Sequence, residues 1–105
     1  MNLSGIKVSS AEIERVLNAI EGVTETAAIA IPPPSGGPSL LVVYAILEVG
    51  GNVQEEMQQM IRRELNPLFK IHEVVAVREL PRTASNKVMR RVLRERYREE
   101  RGMSF

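Results

Sequence analysis

The apolar positions of this chain alternate between runs that recur every three or four residues and runs that are nearly continuous. Ile13, Val16, Leu17 and Ile20 fall on one stripe of a helix. Ser9 is placed to cap that helix, Glu12 completes a capping box, and Gly22 ends it. Residues 24–31 (TETAAIAI) read as a strand. The following PPPSGGP segment, residues 32–38, excludes regular structure and is a loop. Residues 40–47 (LLVVYAIL) form the most continuous β-rich run, which predicts the central strand, closely paired with the run before it. Gly50 and Gly51 break the chain. Asn52 is placed to cap a second helix with Val53, Met57, Met60, Ile61 and Leu65 on its inner face, and Pro67 stops it. Residues 71–77 predict a third strand. Val88, Met89, Val92, Leu93 and Tyr97 predict the inner face of a third helix. Residues 1–8, mixed in character and containing Gly5, read as a small hairpin or an extended lead-in. The order β-α-β-β-α-β-α implies an α+β fold: a small mixed sheet of about three main strands plus a short N-terminal hairpin, covered by three helices.

A length of 105 residues predicts one domain with one modest core, below the size at which an extensive cleft is common. The apolar 44% and charged 26% are those of an ordinary soluble globular protein. With no Cys, disulfides, thiolate metal sites and thiol catalysis are excluded. Every acidic residue is Glu, so Asp-built Mg²⁺ or Ca²⁺ loops are absent and no metal site is expected. No apolar run approaches a membrane span, and no basic-start signal peptide is present. The final GMSF is not a recognisable peroxisomal address, which leaves a cytoplasmic setting as the expectation. The net charge of +1 hides an asymmetry. Residues 87–101 carry seven Lys/Arg and three Glu, a net of +4, so the remainder sums to −3. Such a basic end faces nucleic acid, phosphates or an acidic partner, or is a solvated helix face laced with Arg–Glu pairs.

Two stretches carry chemistry. Residues 80–91 read LPRTASNKVMRR and place Lys87 at the end of a polar turn, between an apolar strand and an arginine-rich helix. Backbone N–H groups of a turn before a helix favour anions together with an ammonium. Lysine suits a point contact to phosphate or carboxylate oxygens whose charge changes during reaction. Residues 2–14 read NLSGIKVSSAEIE. Taken alone they are a tight turn, a strand and a capped helix. His72, the only histidine, has no Ser or Cys partner in a recognisable arrangement and reads as structural; the five Met residues read mostly as core filler.

The first stretch resembles the last core motif of the AMP-forming acyl-activating enzymes, P-x-T-x-x-G-K with arginine soon after. Asn86 stands where that family has Gly, and Asn is the residue that best replaces Gly at positive φ. The second resembles the family's motif just past the interdomain hinge, K-x-S-G-x-R-I-x-x-x-E-I-E. Ser4, Gly5, Lys7, Val8, Glu12, Ile13 and Glu14 fall in register, with Lys7 for Arg and Val8 for Ile. Gly5 and Lys87 lie 82 residues apart with LNPLF and the proline loop between them, so the resemblance covers nearly the whole chain. The wording LNPLF and LPRTASNK is nearest to the acetyl- and short-acyl type of plants and bacteria.

The resemblance implies the mobile C-terminal domain of an acyl-CoA synthetase. Lys87 would contact carboxylate and phosphate oxygens during adenylation, with Thr83, Ser85 and Asn86 supporting its loop. Ser4, Gly5, Ile6 and Lys7 would swing to the active site for thioester formation and line the pantetheine tunnel. Arg90 and Arg91 would lie near CoA phosphates or the domain interface. The substrates implied are a carboxylic acid, ATP with its Mg²⁺, and CoA. The implied partner is a large N-terminal domain preceding Met1, which would hold the ATP and acyl pockets. The domain alone is expected to hold no cofactor tightly and to catalyse nothing, and no nucleic acid is expected as partner. The residue patterns taken alone leave two other classes open: a small basic nucleic-acid-binding module, and a protein-interaction domain. Against the first, Tyr44, Phe69, Tyr97 and Phe105 are the only aromatics, and no strand carries the paired exposed aromatics that stack bases.

Overall fold

The computed structural model describes residues 1–3, 6–48 and 53–102. The expected cap residue Asn52 and the loop residues Ser4 and Gly5 lie outside them. Two-residue strands β1 (Asn2–Leu3) and β2 (Ile6–Lys7) pair antiparallel, as the hairpin expectation requires. Helix α1 (Ser10–Asn18) follows, and the Ser9 hydroxyl accepts the Glu12 N–H at 3.1 Å from an extended backbone, as the capping pattern requires. Gly22, at φ +89°, turns the chain into the sheet.

The main sheet runs in the order β3 (Val23–Ile31), β4 (Leu40–Leu47), β5 (Ile71–Ala76). Strands β3 and β4 are antiparallel, with a register shift between Val23 and Glu25; β4 and β5 are parallel. The parallel pairing needs a crossover, and α2 (Gln54–Glu64) supplies it. Alternation along the strands divides the core in two. Ala28, Leu41, Val43 and Ala45 face α1 and α2, meeting Ile13, Leu17, Met57 and Ile61, with Leu3 and Val8 from the first hairpin. Ala27, Ile29, Ile31, Val42 and Tyr44 face the other way, onto Leu80 and onto Leu93 and Tyr97 of α3 (Arg90–Glu100). Strand β4 is therefore covered on both faces, which is why its sequence is a continuous apolar run without alternation.

The boundaries differ from the sequence expectation in four places. Strand β5 ends at Ala76, one residue short of the expected end. Strand β3 begins at Val23. Helix α2 begins with Val53 in the cap position and ends at Glu64 before Pro67; there the Asn66 side chain accepts the Leu68 N–H at 2.8 Å. Helix α3 begins at Arg90, because Val88 pairs with Arg82 in an antiparallel bridge and Met89 lies before the first helical residue. Backbone pairing around the lysine turn takes precedence over the helical period that Val88 and Met89 share with Val92.

Candidate functional site

Residues 81–89 form a tight hairpin around the lysine. Met89 N–H donates to Pro81 O at 2.8 Å, Thr83 N–H to Lys87 O at 2.8 Å, and Asn86 N–H to Thr83 O at 2.9 Å. The Thr83 hydroxyl accepts the Lys87 N–H at 3.2 Å and lies 3.1 Å from the Ser85 hydroxyl. Asn86 has φ +67°, the one non-glycine residue with positive φ among the described residues. This is the arrangement of a three-residue hairpin loop, a turn followed by a residue in the left-handed region, where Asn substitutes for Gly. Thr83, Ser85 and Asn86 thus all shape the turn that carries Lys87. The Lys87 side chain is exposed and makes no ion pair or hydrogen bond among the described residues. The sequence expectation of free turn N–H groups needs correcting: those of Thr83, Asn86 and Lys87 are used inside the hairpin, and the helix starts three residues further on. Attraction for an anion rests mainly on the ammonium.

Two arginines brace this hairpin. Arg82 donates from Nη1 to the Asn86 carbonyl at 3.3 Å and pairs through Nη2 with Glu25 on β3. Arg90 grips Glu14 of α1 with Nη2 at 2.6 and 2.8 Å and Nε at 3.2 Å. Glu14 Oε2 also accepts the Ala28 N–H at 2.8 Å, a donor on the open edge of β3. Arg90, read from sequence as a phosphate or interface contact, has its guanidinium engaged within the domain. Arg91 is exposed, with no partner among the described residues. The struts escaped sequence reading because their glutamates lie far along the chain. A charged residue within a strand, Glu25, and a glutamate on the helix face toward the sheet, Glu14, were the available signals.

Of the other expected loop, Lys7 is exposed and Ile6 is half-buried against the first core cluster, while Ser4 and Gly5 lie outside the described residues. Lys7, Val8, Ser9 and Glu12 line a shallow depression of about 560 Å³. Another, of about 490 Å³, lies between Leu3, Pro38, Lys70 and His72; neither includes a residue of the lysine hairpin. The first hairpin packs through Leu3 and Val8 on the α1–α2 face of the sheet. The lysine hairpin packs through Leu80 and Val88 on the α3 face.

At the far end of α3, the Tyr97 hydroxyl donates to Glu73 at 2.7 Å, and Arg101 pairs with the same carboxylate while lying 4.7 Å over the Tyr97 ring. Burial, and then the bond to Glu73, push the Tyr97 hydroxyl up to about 12. The Arg101 guanidinium holds the Glu73 carboxyl below its ordinary value despite partial desolvation. Arg90 at the start of α3 and Arg101 just past its end are therefore paired with acids elsewhere in the fold, so the charge of this segment is partly structural. Tyr44, Phe69 and Tyr97 are buried, so none of them is available to stack bases. Among the described residues there is no group of His, Cys, Asp or Glu placed to hold a metal ion, and no helix is long and apolar enough to cross a membrane.

The arrangement is that of a small α+β module with two hairpins at its surface, and among the described residues neither depression reaches the lysine hairpin. Residues 12–87 match the AMP-binding enzyme C-terminal domain. The chain is 51% identical to a probable acyl-activating enzyme 18, peroxisomal, of Arabidopsis thaliana, covering 95% of this chain and 15% of that protein. It is 46% identical to a hexanoyl-CoA synthase of Cannabis sativa, over 92% of this chain and 15% of that protein. The crystal structure of a Brucella canis acyl-CoA synthetase shares the fold with a TM-score of 0.83 at 25% identity, over 95% of this chain and 19% of that one. The chain belongs to the AMP-binding enzyme C-terminal domain family. It spans about 15% of the length of the relatives it matches.

Proposed function

We propose that this domain is the mobile lid of an AMP-forming acyl-CoA synthetase, serving its two half-reactions with two different faces. In the first, a carboxylate oxygen attacks the α-phosphorus of ATP and pyrophosphate departs. Lys87 stabilises the oxygens over which charge is redistributed. In the second, the domain turns about the hinge and presents the loop of Ser4, Gly5, Ile6 and Lys7 along the path of the pantetheine arm. The CoA thiol then attacks the acyl-adenylate and AMP leaves. A large N-terminal domain supplies the ATP, Mg²⁺ and acyl pockets. Arg91, exposed beside the hairpin, is the arginine available to a CoA phosphate or to that domain.

One observation carries this reading. An exposed ammonium, unpaired among the described residues, sits on a shaped hairpin on one face of the sheet, and the other motif hairpin packs on the opposite face. Loops packed on opposite faces of one sheet suit two docking poses, which supports a lid that turns between the half-reactions. The test separates the half-reactions in the intact enzyme. Lys87→Ala is expected to slow acyl-adenylate formation about a hundred- to a thousandfold. Transfer from supplied adenylate to CoA should be left nearly intact. Equal damage to both steps overturns the assignment. The compartment follows the parent enzyme: a cytoplasmic setting is the reading from this sequence, the Arabidopsis relative is named peroxisomal, and fractionation of the intact enzyme decides between them.

A further inference from the structure

Residues 83–87 are all exposed, so no core contact fixes the direction in which Lys87 points. Direction comes from outside the loop. Arg82, five residues before the lysine, ties the Asn86 carbonyl to Glu25 on β3. Arg90, three residues after it, is held by the Glu14 carboxylate, which is itself pinned to the backbone of β3 at Ala28. Both struts are charge-assisted and only partly solvated. Side-chain exposure is 28% and 32% for Arg82 and Glu25, and 34% and 13% for Arg90 and Glu14. Both end on α1 or β3, so the hairpin is referenced from two sides to one rigid part of the domain.

From this geometry we infer that Glu25 and Glu14 are positioning residues for Lys87, acting through Arg82 and Arg90 and touching no substrate. The inference rests on the reading of Lys87 as the adenylation lysine. A preorganised electrostatic contact tolerates little displacement: a misplacement of about 1 Å costs on the order of a hundredfold in rate. Asn86 is covalently next to Lys87, so the Glu25–Arg82 strut should matter more than the Glu14–Arg90 strut.

The experiment uses the intact synthetase that carries this domain. Glu25→Gln keeps the side-chain shape and removes the charge that holds Arg82. Acyl-adenylate formation is expected to fall about ten- to a hundredfold, while transfer of supplied adenylate to CoA stays near wild type. Glu73→Gln, which breaks the pair at the far end of α3, is the control. It should lower the melting temperature comparably and leave adenylation unchanged. Combined with Lys87→Ala, Glu25→Gln should cost nothing further, because a strut has no effect once the group it aims is gone. Equal loss in both half-reactions, unchanged adenylation, or a full additional loss in the double variant overturns the positioning role. If Lys87→Ala itself spares adenylation, the reading of the lysine fails. If Lys87→Ala is damaging and Glu25→Gln is silent, only the bracing fails.

Discussion

The chain carries a motif-bearing hairpin near each end, and the two are held by different forces. The first rests on apolar anchors, Leu3 and Val8, closed by reciprocal backbone bonds between Met1 and Val8 at 2.8 and 2.9 Å. No ion pair joins it among the described residues. The second has one buried anchor, Leu80, and a half-buried Val88, and it is flanked by two arginine–glutamate pairs. Apolar burial is non-directional: it fixes where a hairpin sits without aiming a side chain. Charge-assisted hydrogen bonds are directional. A loop that must place one ammonium against moving charge needs aim. A loop whose contribution is a stretch of bare backbone needs only a position and the absence of a side chain.

The largest effect that bears on this contrast falls on Gly5. In the intact enzyme, Gly5→Leu should spare adenylation and slow transfer to CoA by about a hundredfold or more, as for any misplacement in a confined path. If Gly5 merely permits a turn, leucine there costs roughly 1 kcal/mol of stability, and both half-reactions fall together. Half-reaction rates measured beside a melting curve separate these, and an unselective loss with a lowered melting temperature would refute the tunnel role.

The elements with a strong period were legible from sequence. The capped first helix, the doubly covered β4 and the turn residue Asn86 all follow from local chemistry: a hydroxyl three residues before a free N–H, an unbroken apolar run, an Asn where φ must be positive. The start of α3 was not legible, because Val88 fits the helical stripe and nothing local reveals that its backbone pairs with Arg82. Nor were the struts. Arg90 meets Glu14 76 residues away, and Arg82 meets Glu25 57 residues away. Pairings of that separation depend on which strand edge and which helix the fold brings together. So the lysine and its turn were readable, while the groups that aim it came only with the tertiary structure.

The intermediate effect concerns Asn86. A β-branched side chain at φ +67° is strained by roughly 1–2 kcal/mol, whereas Gly meets no penalty there. Asn86→Val should therefore lower the melting temperature of this chain by several degrees and slow adenylation in the intact enzyme. Asn86→Gly should preserve both. A valine variant that melts like wild type would show that the turn relaxes freely, and the contrast between an aimed and an unaimed hairpin would weaken.

The smallest effect lies at the far end of α3, where Tyr97, Glu73 and Arg101 form a clasp that shares no residue with either hairpin. Tyr97→Phe removes one hydrogen bond to a carboxylate, a cost of about 1 kcal/mol. Its pH dependence has a definite sign. The folded Tyr97 hydroxyl is raised from 10.0 to about 12, so the folded state binds that proton more tightly than the unfolded chain does. The resulting stability is fully present below pH 10 and is lost as pH rises toward 12. Glu73 works in the opposite direction. Its folded value is lowered below 4.5, so its contribution is present above that pH and disappears as acid protonates it. With the Glu73 side chain 34% exposed, salt should weaken this acid-side term. Melting curves recorded against pH should show wild type losing its advantage over Tyr97→Phe between pH 10 and 12. Parallel curves across that interval would remove the hydroxyl from the clasp. Because the clasp holds the helix and aims neither hairpin, Tyr97→Phe should leave the ratio of the two half-reactions unchanged. A shift in that ratio would mean that α3 transmits its far-end packing to Lys87, and that the lysine hairpin is aimed by the whole helix as well as by its two arginines.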